Sequence, residues 1–375
     1  MRKGQIRFIT VFFLTGIMVW MFVAKDRDYS ERENRYLAKL PSVSVQSVLD
    51  GSFMDDWETY LSDQFPLRDW CVTLRSNALS LLGQTRINGV FIGSGGYLIP
   101  QDDKVDYNKI DEQTEAVNAA AEYFPDVNFQ LMLAPGASYV CEDRLPAGVE
   151  STQGSTMDYV ADRLSSRVDF VDVRKALLTN NTEQLYFRND HHWTVYGAFE
   201  AFSEYMNTRG VKVDSKDFDF MTVADGFFGT QASNCGIYKT GDEIDICVPN
   251  GSEGTYTVNY INESVKTTTL FDDSKVDEKD KYLVFMGGNY SQVIIDTTAN
   301  NGKRLLIVKD SYANCMIPMF TPYYERMVVV DPRYFYDNIA EVIIGNEVDD
   351  VLFLYSVNGF VTDTSLTDTL MLGEE

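Results

Sequence analysis

Three short runs near the C-terminus constrain the fold more than any other feature of the chain: Arg304 to Lys309 (RLLIVK), Arg326 to Val330 (RMVVV) and Val351 to Tyr355 (VLFLY). Each is continuously apolar through its centre and of strand length. None alternates apolar with polar residues, so each reads as a strand buried on both faces. Connections of helix length separate them, which predicts parallel strands with helices packed on either side. The same alternation occurs earlier in the chain. An amphipathic helix over Asp111 to Phe124 precedes a strand over Phe129 to Ala134, and a helix around Tyr159 to Leu164 precedes a strand over Val168 to Val173. The expected fold class is α/β, a doubly wound parallel sheet. Between residues 227 and 301 the composition turns to Thr, Asn, Gly, Asp and Tyr with short β runs (TYTVNYI, KYLVFM), which predicts a β-rich insertion covering one sheet edge. The expected division is 51–226 for the first part of the domain, 227–301 for the insertion and 302–375 for the C-terminal part. Helical spacing broken at Pro66 predicts two helices between Ser52 and Leu82. A hairpin is expected over Gly89 to Ile99, turning at Ser94-Gly95-Gly96.

The N-terminus has a different character. Phe8 to Ala24 is a run of 17 residues without charge, flanked by Arg2, Lys3 and Arg7 before it and Lys25 after it. A hydrocarbon core about 30 Å thick needs roughly 17–25 such residues. Residues 1–25 are therefore expected to be a single-pass anchor with the body outside the cytoplasm, and 26–50 a polar juxtamembrane tether. A cleaved secretory signal is the alternative, although Met21 to Lys25 makes a poor cleavage site. The chain has 32 basic against 56 acidic residues, a net charge of −24, which argues against a nucleic-acid partner. Hydrophobic residues make up 45% of it, which excludes a disordered chain. With five cysteines and no Cys-x-x-Cys spacing, neither a disulfide scaffold nor a structural zinc site is expected, and Cys235 and Cys247 are left as either a pair or two free thiols.

Chemistry is constrained by the two histidines, which are adjacent. A histidine base must be His191 or His192, and no cofactor or multi-histidine metal site is expected. In open α/β sheets reactive groups collect at the carboxyl ends of strands. Three loops qualify. Ser311, after RLLIVK, sits at a strand-to-helix turn where its hydroxyl faces the crevice and its N–H faces a developing oxyanion; a plain serine N-cap is the competing reading. In Asn189-Asp190-His191-His192-Trp193-Thr194, residues two apart share a side of an extended segment, so Asp190 can orient His192 as base while His191 points away as a packing or substrate contact. Here the competing reading makes Asp190 a helix cap and the histidines surface residues. The base should titrate near 6.5, or above it if Asp190 stabilises imidazolium. Asn358, after VLFLY, offers an amide donor or forms an ordinary Asn-Gly turn.

Tyr186 to Trp193 (YFRNDHHW) resembles the DHHW family of bacterial membrane-anchored proteins, and with His191 replaced it is similar to the Asp-Thr-His-Trp loop of alginate O-acetyltransferase proteins. Glu33-Asn34-Arg35, Asp63 to Arg68 (DQFPLR), Asn88 to Gly93 (NGVFIG) and Leu305 to Asn314 (LLIVKDSYAN) extend the likeness over most of the chain. The resemblance implies an SGNH hydrolase-like domain with reordered blocks, in which Ser311 is nucleophile, His192 base and Asp190 orienter. Asn358 would be an oxyanion donor. Tyr312, Arg333, Tyr334 and His191 would contact substrate or oxyanion. Lys309 stands where the family pattern has glycine. The implied activity is serine O-acetyl transfer or acetyl-ester hydrolysis on an exopolysaccharide or cell-wall glycan, with acyl groups supplied by a membrane-bound acyl-exporting partner. The alternative is a non-catalytic polysaccharide-binding or assembly protein of the same fold.

Overall fold

The computed structural model describes residues 3–180, 182–252 and 254–370. Its centre is an eight-stranded sheet in the order Val265–Thr267, Tyr256–Tyr260, Gln292–Thr297, Arg326–Val330, Arg304–Lys309, Asp350–Ser356, Asn128–Ala134, Val168–Val171. The last five strands are parallel. The first three add to them antiparallel, so the sheet is mixed rather than purely parallel, and residues read as an insertion extend the main sheet.

Alternate residues of the buried strands feed two cores. Leu306, Val308, Val351 and Phe353 pack against helices Tyr107–Tyr123, Gln153–Ala161, Ile339–Gly345 and Val357–Thr362. Leu305, Ile307, Leu352 and Leu354 face helix Val195–Thr208 and the turns after Ser311. Both faces being covered is why these runs show no two-residue alternation. Strands Phe218–Phe227 and Asp242–Pro249 form a separate antiparallel pair, and strands 86–87, 90–92 and 98–100 form a small sheet over helix Thr230–Cys235.

Several expectations change. KYLVFM is not a strand: Lys281–Val284 is a 3₁₀ turn, and Met286, Gly287 and Gly288 follow at φ 65°, 77° and 140°, values that no extended strand adopts. Cys235 ends a helix while Cys247 lies in a strand, and both are free thiols. The segment read as a tether is folded in part. Tyr29–Ser30 pairs with Arg35–Tyr36, and Arg35 clamps Asp63 through Nη1 at 2.9 Å and Nη2 at 2.6 Å. Lys3–Val23 is one helix. Met1 and Arg2, and the side chains of Lys3, Ile6, Ile9, Thr10, Leu14 and Phe22, lie outside the described residues. Among the described residues no helix is long and apolar enough to cross a membrane, so the structure does not support the expected span.

Candidate active site

The site forms where two parallel strands end side by side. Asp310 follows strand Arg304–Lys309, and its Oδ1 accepts from the Tyr312 N–H at 2.9 Å, capping the 3₁₀ turn Ser311–Cys315. Its Oδ2 accepts from the Ser356 N–H at 2.8 Å and the Ser356 hydroxyl at 2.7 Å, fastening this end to the neighbouring strand. The fit leaves no room at Gly359, where a Cβ would stand 2.3 Å from Asp310 Oδ2. Ser311 is thereby held at the carboxyl edge of the sheet.

Its partners arrive on the loop before helix Val195–Thr208. Thr194 caps that helix, and the Trp193 indole N–H donates to the Tyr312 carbonyl at 2.9 Å, docking the loop on the serine turn. His192 Nδ1 lies 2.6 Å from Asp190 Oδ1, and His192 Nε2 lies 2.8 Å from Ser311 Oγ. An ionised carboxylate only accepts, so Nδ1 carries the proton and Nε2 is free to accept from the serine hydroxyl. Asp190 Oδ1 also accepts from the His192 N–H at 3.0 Å, and Oδ2 from the Thr230 N–H at 2.7 Å. Asp190 is 3% exposed and His192 6%.

His191 does not point away. The loop turns rather than extends, so the two imidazoles lie 3.8 Å apart and His191 Nδ1 stands 3.5 Å from Asp190 Oδ1. This changes the electrostatics. Burial and the neighbouring His191 push His192 down to about 4 against the pull of Asp190, rather than to 6.5 or above. Burial also opposes charge on His191, but Asp190 outweighs it and raises that group. Burial disfavours the Asp190 carboxylate as well, yet the two imidazoles hold it well below the usual range. Asp190, His191 and His192 offer atoms within 4.8 Å of one another, as a metal site would. To coordinate, this set would have to give up the His192–Asp190 hydrogen bond.

Beside the relay, a cavity of about 430 Å³ is lined by His191, Ser311, Thr230, Gln153, Asn358 and Arg333, among others. Asn358 faces it with Oδ1 3.4 Å from Gln153 Nε2, a contact that leaves the Asn358 amide hydrogens unused. The Tyr312 hydroxyl donates to the His191 carbonyl, so it braces the loop. Arg333 lines the cavity with its guanidinium bonded to Asp331, Nε at 2.8 Å and Nη2 at 2.6 Å. Tyr334 is 47% exposed and outside this lining. Fully buried Lys309 completes the cluster, with Nζ 3.3 Å from Asp331 and 3.0 Å from Asn289.

Sequence reasoning missed two contributors. Tyr282 stacks on the His192 ring at 3.8 Å and 7°, and its hydroxyl donates to the Ser311 carbonyl at 3.1 Å. The 3₁₀ turn that replaces the expected strand is what aims it. Thr230 supplies an N–H to Asp190, and Gly229 lets that backbone approach, because a Cβ there would stand 2.1 Å from Asp190 Oδ2. The Gly-Thr step opening a short helix was the available signal.

A family model described as DHHW protein matches residues 130–330. The crystal structure of a DHHW family protein from Eubacterium siraeum matches with a TM-score of 0.66 and 26% identity, over 76% of this chain and 95% of that one. Bacillus cereus PatB1 with a sulfonyl adduct matches at 0.65 and 20% identity, over 74% and 97%. The O-acetyltransferase domain of Pseudomonas putida AlgJ matches at 0.45 and 11%, over 73% and 93%. No curated protein matches the chain by sequence.

Proposed function

This chain belongs to the DHHW family, and from that premise we propose that it is an SGNH hydrolase-like serine O-acetyltransferase or acetylesterase acting on carbohydrate outside the cytoplasm. The observation that carries the reading is the relay from Asp190 through His192 to Ser311, at 2.6 and 2.8 Å, opening on a 430 Å³ cavity. Ser311 Oγ attacks the carbonyl carbon of an acetyl ester as its proton passes to His192 Nε2. Asp190 holds the ring's tautomer and balances the imidazolium. The tetrahedral oxyanion is met by the Ser311 N–H and the Asn358 amide. Collapse expels the alcohol, which takes the proton back from His192 and leaves acetyl-Ser311. A sugar hydroxyl or water then attacks with His192 again as base, releasing acetylated sugar or acetate and restoring the serine.

The test is acetate release from a chromogenic acetyl ester. Ser311→Ala should abolish it, and a sulfonyl fluoride should label Ser311 and inactivate the protein, as suits the sulfonyl adduct named for PatB1. Wild-type inactivity together with glycan binding would replace this reading with the binding or assembly protein.

Single-pass attachment belongs to the same proposal. It is supported by the uncharged run after a basic flank, and by the exposed rings that the N-terminal helix carries, Phe8 72%, Phe12 73% and Trp20 48% exposed. A transferase facing outward needs exported acyl groups, hence a membrane-bound acyl-exporting partner. Recovery of a soluble form beginning after Ala24 would refute the anchor.

A further inference from the structure

A second cavity of about 650 Å³ adjoins the first, and Gln101 and Asp103 line both. The floor between them is one hydrogen-bonded unit. Asp102 accepts from Ser138, from Ser151 Oγ at 2.8 Å, from the Thr152 N–H at 2.7 Å and from Gln153 Nε2 at 2.9 Å. Gln153 Oε1 takes the Gly136 N–H at 2.6 Å, and its amide faces Asn358 in the first cavity. The two cavities therefore form one groove with a rigid floor.

Tyr107 lines the far cavity and is 46% exposed. Its ring is backed by Tyr159 at 4.5 Å, which is itself covered by the Arg163 guanidinium. A half-exposed ring held from behind offers a platform for the apolar C–H face of a sugar. The charges along the groove are one-sided. Arg333 is paired with Asp331, while Asp103, Glu150, Asp310 and Asp363 stand against Lys104. A chain carrying a carboxylate on each sugar would be repelled there.

We propose that this groove binds an uncharged glycan chain longer than one sugar, with the acetylated unit at Ser311 and another sugar of the same chain stacked on Tyr107. The inference rests on the acetyl-ester reading and specifies its substrate class. Contacts remote from the reacting bond raise kcat/KM when they hold the substrate in register.

The experiment compares the chromogenic acetyl ester, O-acetylated neutral oligosaccharides of one to four sugars, and an O-acetylated oligouronide of equal length. For wild type, kcat/KM should rise about tenfold from one sugar to three, and the oligouronide should be the poorer substrate. Tyr107→Ala, checked for an unchanged melting temperature, should bring the three-sugar to one-sugar ratio close to one. A flat wild-type series, a rise that survives Tyr107→Ala, or a preference for the oligouronide would overturn the proposal while leaving the esterase reading intact. If the wild type cleaves no acetyl ester, that reading falls instead. Calorimetry with an unacetylated neutral tetrasaccharide then decides the groove: binding weakened by Tyr107→Ala upholds it, and absence of binding overturns it.

Discussion

Adding a single methyl group at Gly229 should disable the site without touching a reacting atom. Gly229 has φ −80° and ψ −157°, extended rather than left-handed backbone, so no positive φ demands glycine here. The new Cβ, however, would stand 2.1 Å from Asp190 Oδ2 and 2.6 Å from its Cγ. Ordinary contact requires the carboxylate to retreat by about 1 Å or more. That would stretch its 2.6 Å bond to His192 Nδ1 and its 2.7 Å bond to Thr230 beyond hydrogen-bonding range. A misplacement of about 1 Å costs roughly 100-fold in rate, and complete loss of carboxylate control over the imidazole about 10⁴-fold. Gly229→Ala should therefore lower kcat for acetyl-ester cleavage by about 10²- to 10⁴-fold with little change in KM. Overpacking should cost about 1–3 kcal/mol of stability. The matched control is Gly345→Ala, where nothing lies within 4 Å of the added carbon. The assay is steady-state acetate release alongside thermal melts of both variants. If Gly229→Ala keeps activity within about threefold of wild type, Asp190 does not act on His192 by the geometry described.

Other perturbations read different parts of the site. A base must be neutral to accept the serine proton, so activity falls as pH drops through the His192 pKa; with that group at about 4, the acid limb of kcat/KM should lie well below 6.5, and a limb at 6.5 or above refutes the assignment. His191→Gln removes the like charge pressing His192 down, so the variant should stay active and its acid limb should move to higher pH. Tyr282→Leu loses the ring on His192 and should cost about 10- to 100-fold in kcat, whereas Tyr282→Phe keeps the stack and gives up the hydroxyl's bond to the Ser311 carbonyl, about 0.5–1.5 kcal/mol, together with its contact to Cys315. Asp63→Ala should destabilise the fold by about 1–3 kcal/mol, discounted because Arg35 is partly exposed. The hydrogen bond from Arg35 outweighs burial and lowers the Asp63 pKa, so this contribution is present above the unfolded carboxylate pKa and fades as pH falls through the folded one; melts at several pH values should show the wild-type advantage shrinking in acid.

The parallel strands were legible because burial on both faces leaves continuous apolar runs, and their strand length and β-branched residues set them apart from buried helix. The antiparallel strands Tyr256–Tyr260 and Gln292–Thr297 carry the mixed pattern of any β segment, so nothing local assigns them to the main sheet. A spacing of two brings Asp190 to His192, but through a bend rather than the extended segment expected. The same bend sets His191 beside the carboxylate, and Trp193 docks the loop on Tyr312. Lys281 to Met286 illustrates a local preference overruled. Its β-forming residues would make a strand, but Asp272 fixes the Val284 carbonyl and the glycines after Met286 release the chain, so Tyr282 turns onto His192. Conflicts between local preference and final structure concentrate where function makes demands, and this one lies against the base. Arg333 lines the cavity with Nε and Nη2 held by Asp331, two residues before it.

The order of strands in the central sheet has a consequence for how the molecule comes into being. Asp350–Ser356 is its last strand in sequence and lies between Arg304–Lys309 and Asn128–Ala134. Until it is made, the two halves of the sheet cannot join, and each presents an open parallel edge. Asp310 likewise waits for Ser356 before it is fixed. The growing chain thus cannot close its sheet until residue 356 is present, whatever the state of its N-terminal helices. Such late, non-local closure is slow, and it leaves apolar strands exposed meanwhile. A chain ending before Asp350 should therefore be recovered as aggregate rather than as a weakened enzyme.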